Sequence, residues 1–264
     1  FTWTLSDSNS DNKWDLAIAA DTTKPTTTFS PVNGATSVAV ASDITLTFNE
    51  AVRLTNDSAL DDSNVDALIT LKEDNSSGSD ISFDATINNG KTVITINPSS
   101  NFSSEQVVYV AIGATVEDAS NNAINSANAS FTAVDTSAPT MAITSSTVSD
   151  GDTSDDASLS MTFTSSEATT DFAVGDITVT GGSLSSFAST SSTIYTATFT
   201  PTDDGATTID VASSKFTDAT GNNNVAATQF NWTYESQLPS PLDKTDVTSS
   251  VEASKDIAAE WADM

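Results

Sequence analysis

Carboxylates are the groups with which this sequence could do chemistry. Asp and Glu number 36 against 8 Lys and Arg, for a formal net charge of -28. Three of the carboxylates recur, each in a repeated context. Asp21-Thr22-Thr23-Lys24-Pro25 returns as Asp135-Thr136-Ser137-Ala138-Pro139. Ile44-Thr45-Leu46-Thr47-Phe48-Asn49-Glu50 is echoed by Met161-Thr162-Phe163-Thr164-Ser165-Ser166-Glu167. Val116-Glu117-Asp118-Ala119-Ser120-Asn121-Asn122 returns as Phe216-Thr217-Asp218-Ala219-Thr220-Gly221-Asn222. The order is the same in both copies, so two sets stand out: Asp21, Glu50 and Asp118, then Asp135, Glu167 and Asp218. A donor set of oxygens alone suits a hard cation. Calcium takes about six to eight oxygens, and extracellular modules bind it at roughly 0.1–1 mM. The same residues also suit solvated turns, where Asp and Asn hydrogen-bond their own backbone.

Two further acidic runs, Asp57, Asp61, Asp62 and Asp66, and Asp150, Asp152, Asp155 and Asp156, read as solvated loops. The second has Asp-x-Asp spacing but lacks the Gly and the closing Glu of an EF-hand loop.

Other chemistry is excluded by what is missing. The chain has no Cys and no His. It therefore has no disulfide, no thiolate, no imidazole base and no Ser-His-Asp triad. Paired carboxylates can hydrolyse glycosides, but they need a cleft and aromatic platforms for the sugar. Trp3 and Trp232 fall in strand-like segments that read as core, Trp14 in a linker-like segment and Trp261 in a helix-like one. No catalytic constellation emerges, so the reading is non-enzymatic. So acidic a chain has no electrostatic route to nucleic acid or anionic lipid. No apolar run is long enough to span a membrane. Phe1-Thr2-Trp3 is not a signal peptide, so the sequence reads as a mature form or an excised fragment.

The carboxylates must be positioned by β-strands. Period-two alternation places strands in copy one at 26–30, 44–49, 68–73, 81–87, 92–97, 107–112 and 129–134. In copy two it places them at 140–145, 158–164, 177–180, 184–189, 194–201, 207–211 and 229–234. Turn signals such as Asn89-Gly90, Gly181-Gly182 and Asp204-Gly205 separate them. Seven short strands per copy predict an antiparallel β-sandwich, whose linkers and loops gather at its two ends. No segment is long and periodic enough for a crossover helix, which argues against a parallel sheet.

The ends differ from the repeats. Phe1-Thr2-Trp3-Thr4-Leu5 matches Phe230-Asn231-Trp232-Thr233-Tyr234. It reads as an orphan closing strand that either trails loosely or adds to a sheet edge, in this chain or a neighbour. Ser240-Pro241-Leu242-Asp243 resembles a helix start. Val247, Val251, Ile257, Ala258, Trp261 and Met264 follow at near-helical spacing, so a helix is predicted over 242–263, with a frayed tail as the alternative.

The stretches Pro31–Ala35 through Phe48–Val52 resemble the bacterial Ig-like domain of S-layer proteins. The stretches 176–182, 195–201 and 216–222 resemble the bacterial Ig-like repeat of giant adhesins. The resemblance implies an extracellular stalk, adhesin or surface-layer role on a bacterial cell, often with calcium at module junctions. The expected fold is all-β: two tandem Ig-like antiparallel β-sandwiches plus a short C-terminal helix. The expected division is an N-terminal segment 1–20, domains at 21–135 and 136–235, and a linker and helix at 236–264. Ser120-Asn121-Asn122 against Thr220-Gly221-Asn222 is a departure that predicts loops of different shape. The leading expectation is a calcium-stiffened spacer. The alternatives are a self-assembling filament or S-layer subunit, and a module binding glycan or a cell-surface receptor. Expected partners are neighbouring Ig-like modules or copies of this chain.

Overall fold

The computed structural model describes residues 20–236, together with the backbone of 3–6 and 15–18. The chain divides into two compact units, Phe1–Thr136 and Ser137–Met264, each considered by itself. The helix predicted over 242–263 lies outside the described residues. Among the described residues, no helix is long and apolar enough to cross a membrane.

Unit 1 opens with a hairpin. Strand β1 (Trp3–Ser6) pairs antiparallel with β2 (Asp15–Ile18), in the register Trp3↔Ile18 to Ser6↔Asp15. The N-terminal strand thus has a partner, separated from it by eight residues, in a segment read as linker. This pair forms a sheet of its own.

The remainder of unit 1 is a sandwich. One sheet orders β3 (Thr27–Ser30), β5 (Ile44–Phe48), β9 (Val93–Pro98) and β8 (Phe83–Ile87). The other orders β4 (Ala35–Val38), β12 (Ala127–Ala133), β10 (Val107–Ile112) and β7 (Ile69–Glu73). A two-residue pair, β6 (Arg53–Leu54) with β11 (Val116–Glu117), lies apart from both. Alternation decides which residues enter the core. In β5, Ile44, Leu46 and Phe48 are buried, while Thr45 and Thr47 between them are not. Ile94 and Ile96 of β9 and Val108 and Val110 of β10 complete the same interior.

Unit 2 repeats the plan. One sheet orders β13 (Met141–Ser145), β15 (Leu159–Ser165), β18 (Ile194–Pro201) and β17 (Gly182–Ser189). The other orders β14 (Thr153–Ser154), β20 (Phe230–Tyr234), β19 (Gly205–Val211) and β16 (Ile177–Thr180). Its core is more aromatic. Phe172 meets Phe163, Phe187, Tyr195 and Phe216 at centroid distances of 5.0–5.9 Å. Trp232 is 2% exposed.

Alternation alone missed two sandwich strands, β4 and β14. Each runs parallel to its unit's closing strand: β4 beside β12 and β14 beside β20. Both are short and end partners of a sheet, so neither carries an alternating apolar run. The loop-shape expectation is also corrected. Asn121 at φ +65° and Gly221 at φ +92° occupy the same left-handed position. Asn tolerates that region better than most side chains.

The acidic runs read as solvated loops are largely exposed, and three of their carboxylates also bond strand backbone. Asp62 and Asp66 accept hydrogen bonds from the Ile87 and Ala85 N–H groups of edge strand β8, at 2.9 and 2.8 Å. Asp150 accepts from Asn231 N at 2.7 Å. These carboxylates bond backbone that would otherwise meet only water.

Candidate functional site

The loop that carries Asp118 is built from its own sequence. Asp118 Oδ1 accepts from the backbone N–H groups of Ser120 and Asn122, at 2.7 and 2.9 Å. The Asn122 side-chain amide donates to Asp118 Oδ2 at 2.8 Å and to the Asp21 carbonyl at 3.0 Å. In unit 2, Asp218 Oδ1 accepts from Thr220 N and Asn222 N at 2.8 and 2.9 Å, and Asn222 donates to Asp218 Oδ2 at 2.8 Å. The backbone bonds closing the two loops are also the same, Asp118 N to Asn122 O and Asp218 N to Asn222 O.

Both loop aspartates are buried, at 2% and 7% exposure. Burial pushes a carboxyl pKa upward. For Asp118 the bonds from Asn122 and Ser120, with the nearby Arg53 charge, outweigh it and hold the pKa below the usual value. For Asp218 the bonds from Asn222 and Thr220 outweigh burial and hold it at about 2. Both groups are therefore anions at neutral pH.

A second tie brings the strand-end glutamate to this loop, and its chemistry differs between the units. In unit 1, β6 follows Glu50 and β11 precedes Asp118, and the two strands pair. Arg53 reinforces the pairing, lying 3.4 Å from the buried Glu117 and 2.6 Å from Asp57, and donating to Asn121 at 2.6 Å. In unit 2, Asp171 takes over. It accepts from Thr217 N at 3.0 Å, Thr217 Oγ1 at 2.9 Å and Thr169 Oγ1 at 2.7 Å. Glu117 and Thr217 each directly precede the loop aspartate. One position is thus pinned by a cation in one unit and by an anion in the other. Asp171 carries no repeat signal, and sequence reading passed over it.

The structure brings the predicted carboxylates together in the predicted sets. One carboxylate oxygen from each of Asp21, Glu50 and Asp118 lies within 4.8 Å of the others, and the same holds for Asp135, Glu167 and Asp218. In each set the linker Asp and the strand-end Glu are half-buried and the loop Asp is buried. Asp21 also accepts from Thr23 N at 2.9 Å, and Asp135 from Ser104 Oγ at 2.7 Å. Three oxygens this close are within reach of a single cation. Two oxygens on opposite sides of an ion bound at about 2.4 Å stand about 4.8 Å apart.

Two four-stranded sheets with a short strand parallel to the closing one define each unit as an Ig-like sandwich. The chain belongs to the bacterial Ig-like domain proteins: residues 21–133 match one bacterial Ig-like domain family and residues 135–234 match another. No curated protein matches the chain. Among solved structures, it is similar to a three-Ig fragment of titin, I67–I69 in an E-to-A mutated variant. The identity is 10% and the TM-score 0.37, over 81% of this chain and 66% of that one. It is also similar to the N-terminal part of the bacterial S-layer protein SbsC, at 12% identity and TM-score 0.29, over 78% of this chain and 44% of that one. Yersinia pseudotuberculosis InvD gives 16% identity and TM-score 0.33, over 82% and 60%.

Proposed function

We propose that this chain is a non-enzymatic structural segment of a bacterial surface protein, an extracellular stalk or spacer in which calcium stiffens the linker entering each module. The observation that carries the reading is the pair of carboxylate sets at matching positions. Like charges this close repel by roughly 3–4 kcal/mol per pair at an effective dielectric near 20. Asp118 and Asp218 are held anionic by their loops, so a divalent cation is the partner that turns this repulsion into attraction. The linker Asp comes from the chain leading into the sandwich and the other two carboxylates from the sandwich itself. An ion held by all three fixes that linker to its module. The strongly acidic composition suits a cation-rich exterior.

Thermal unfolding with and without calcium tests this. Millimolar calcium should raise both unfolding transitions. A ligand at about ten to a hundred times its Kd stabilises by about 1.4–2.7 kcal/mol per site. Glu50→Gln should remove the increment from unit 1 alone, and Glu167→Gln from unit 2 alone. Transitions that do not move between calcium and chelator would reject the calcium reading.

A further inference from the structure

We infer that two copies of this chain associate through one lateral edge of unit 2, the edge formed by β16 and the first half of β17, by antiparallel strand pairing. This goes beyond the stalk reading and does not depend on calcium.

The first observation is electrostatic. From Ile177 to Thr202 the sequence carries no charged residue, although the chain as a whole bears a net charge of -28. Where two copies bring carboxylates together, each pair at about 4 Å costs roughly 4 kcal/mol at an effective dielectric near 20. This is the longest uncharged stretch of the sequence, so its strands can approach those of a second copy with the fewest carboxylates of their own.

The second observation is the backbone. The uncharged run contains β16, the edge strand of one sheet, and β17, the edge strand of the other. Each has a single partner: β19 for β16 and β18 for β17. They follow one another directly through Gly181, at φ +72°, so residues 177–185 form a continuous edge crossing from sheet to sheet. Thr178, Thr180, Ser183 and Ser185 along it are exposed. Unpaired N–H and C=O groups on such an edge are a template for another strand. A register shift between Ser185 and Ala188 ends the regular stretch.

The third observation is the contrast with unit 1. There the corresponding edges are β7 and β8. Asp62 and Asp66 accept from the outward N–H groups of β8. Lys72 of β7 is paired with Asp80 at 2.6 Å. Among the described residues, no side chain bonds the backbone of β16 or β17. The uncharged segment 25–42 of unit 1 also holds two edge strands, but Pro31 between them removes a donor and interrupts the edge. An antiparallel edge pair is self-complementary about a two-fold axis, which makes a second copy the fitting partner.

Sedimentation equilibrium of the full chain, from micromolar to millimolar, is the test. The expected result is a reversible dimer that tightens as salt screens the remaining charge. Ser183→Glu, at an exposed position, should weaken it by about tenfold or more with unchanged circular dichroism and melting temperature. The chain lacks cysteine, so Ser183→Cys should give a disulfide-linked dimer on mild oxidation, while Asp84→Cys on the corresponding edge of unit 1 should not. A chain that is monomeric throughout overturns the inference. So does a dimer indifferent to Ser183→Glu, or one cross-linked equally by both cysteines.

Discussion

Asn122 holds Asp118 by a side-chain hydrogen bond of 2.8 Å, and with the same amide it holds the carbonyl of Asp21. One side chain thus orients the buried carboxylate and anchors the linker that brings the second one. Replacing it removes both bonds and leaves the lone pair of a buried oxygen unmet. Asn122→Ala should cost about 1–3 kcal/mol of unit 1 stability, read by urea denaturation. It should also weaken calcium binding at that unit more than at the other, read by titration calorimetry. Loss of stability without any change in calcium binding would separate the loop's structural role from the proposed one.

Acid should unfold this protein through its bonded carboxylates. Asp118, Asp171 and Asp218 all have folded pKa values below the ordinary one, Asp218 at about 2. In each case burial acts upward and hydrogen bonds overcome it, for Asp171 those from Thr169 and Thr217. A group with a lowered folded pKa stabilises the fold above its unfolded pKa, and this is lost as pH falls through the folded value. The urea midpoint should therefore fall between about pH 4 and pH 2. Asp218→Asn should flatten that fall. An acid limb unchanged by the substitution would place the titration elsewhere.

The two ties beside the loop aspartates should respond unequally to charge removal. Arg53→Ala leaves Glu117 buried without its cation. Arg53 is itself 29% exposed, so the cost should be about 1–3 kcal/mol, below that of breaking a fully buried pair. In unit 2, Asp171→Asn removes a charge but keeps an acceptor, and the loss should be about 1 kcal/mol or less. Hydrogen exchange should show increased opening at 116–124 in the first variant and at 216–224 in the second.

Phe172 is the hub of the aromatic core of unit 2, and it is reached from a loop rather than a strand. Phe172→Ala should destabilise that unit by about 3–5 kcal/mol. Because Phe172 adjoins Asp171, it should also loosen the contact with Thr217. Separate thermal transitions, with only one shifted, are the expected observation.

Much of this molecule was legible in its residues. Alternation in Ile44–Phe48 and Leu159–Ser165 predicts strands because a pleat sends successive side chains to opposite faces, and both lie in the cores. The repeated Asp, Glu and Asp could be picked out because both copies keep them in order. Local chemistry also determined the Asp118 and Asp218 loops, where the bonds each aspartate accepts from its own loop span four residues at most.

Tertiary structure decided the rest, for reasons of distance. Asp62 and Asp66 face solvent, and only folding brings the N–H groups of β8, some twenty residues away, within their reach. The role of Asp171 depends on Thr217, 46 residues later. β4 and β14 exist as strands because a closing strand lies parallel to them, and such pairing leaves no period in a short sequence. The sequence itself specified which residues prefer the interior and which turns close on themselves. Only the packed sheets determined which distant backbone groups each carboxylate would meet, because a hydrogen bond depends on position in space and not along the chain.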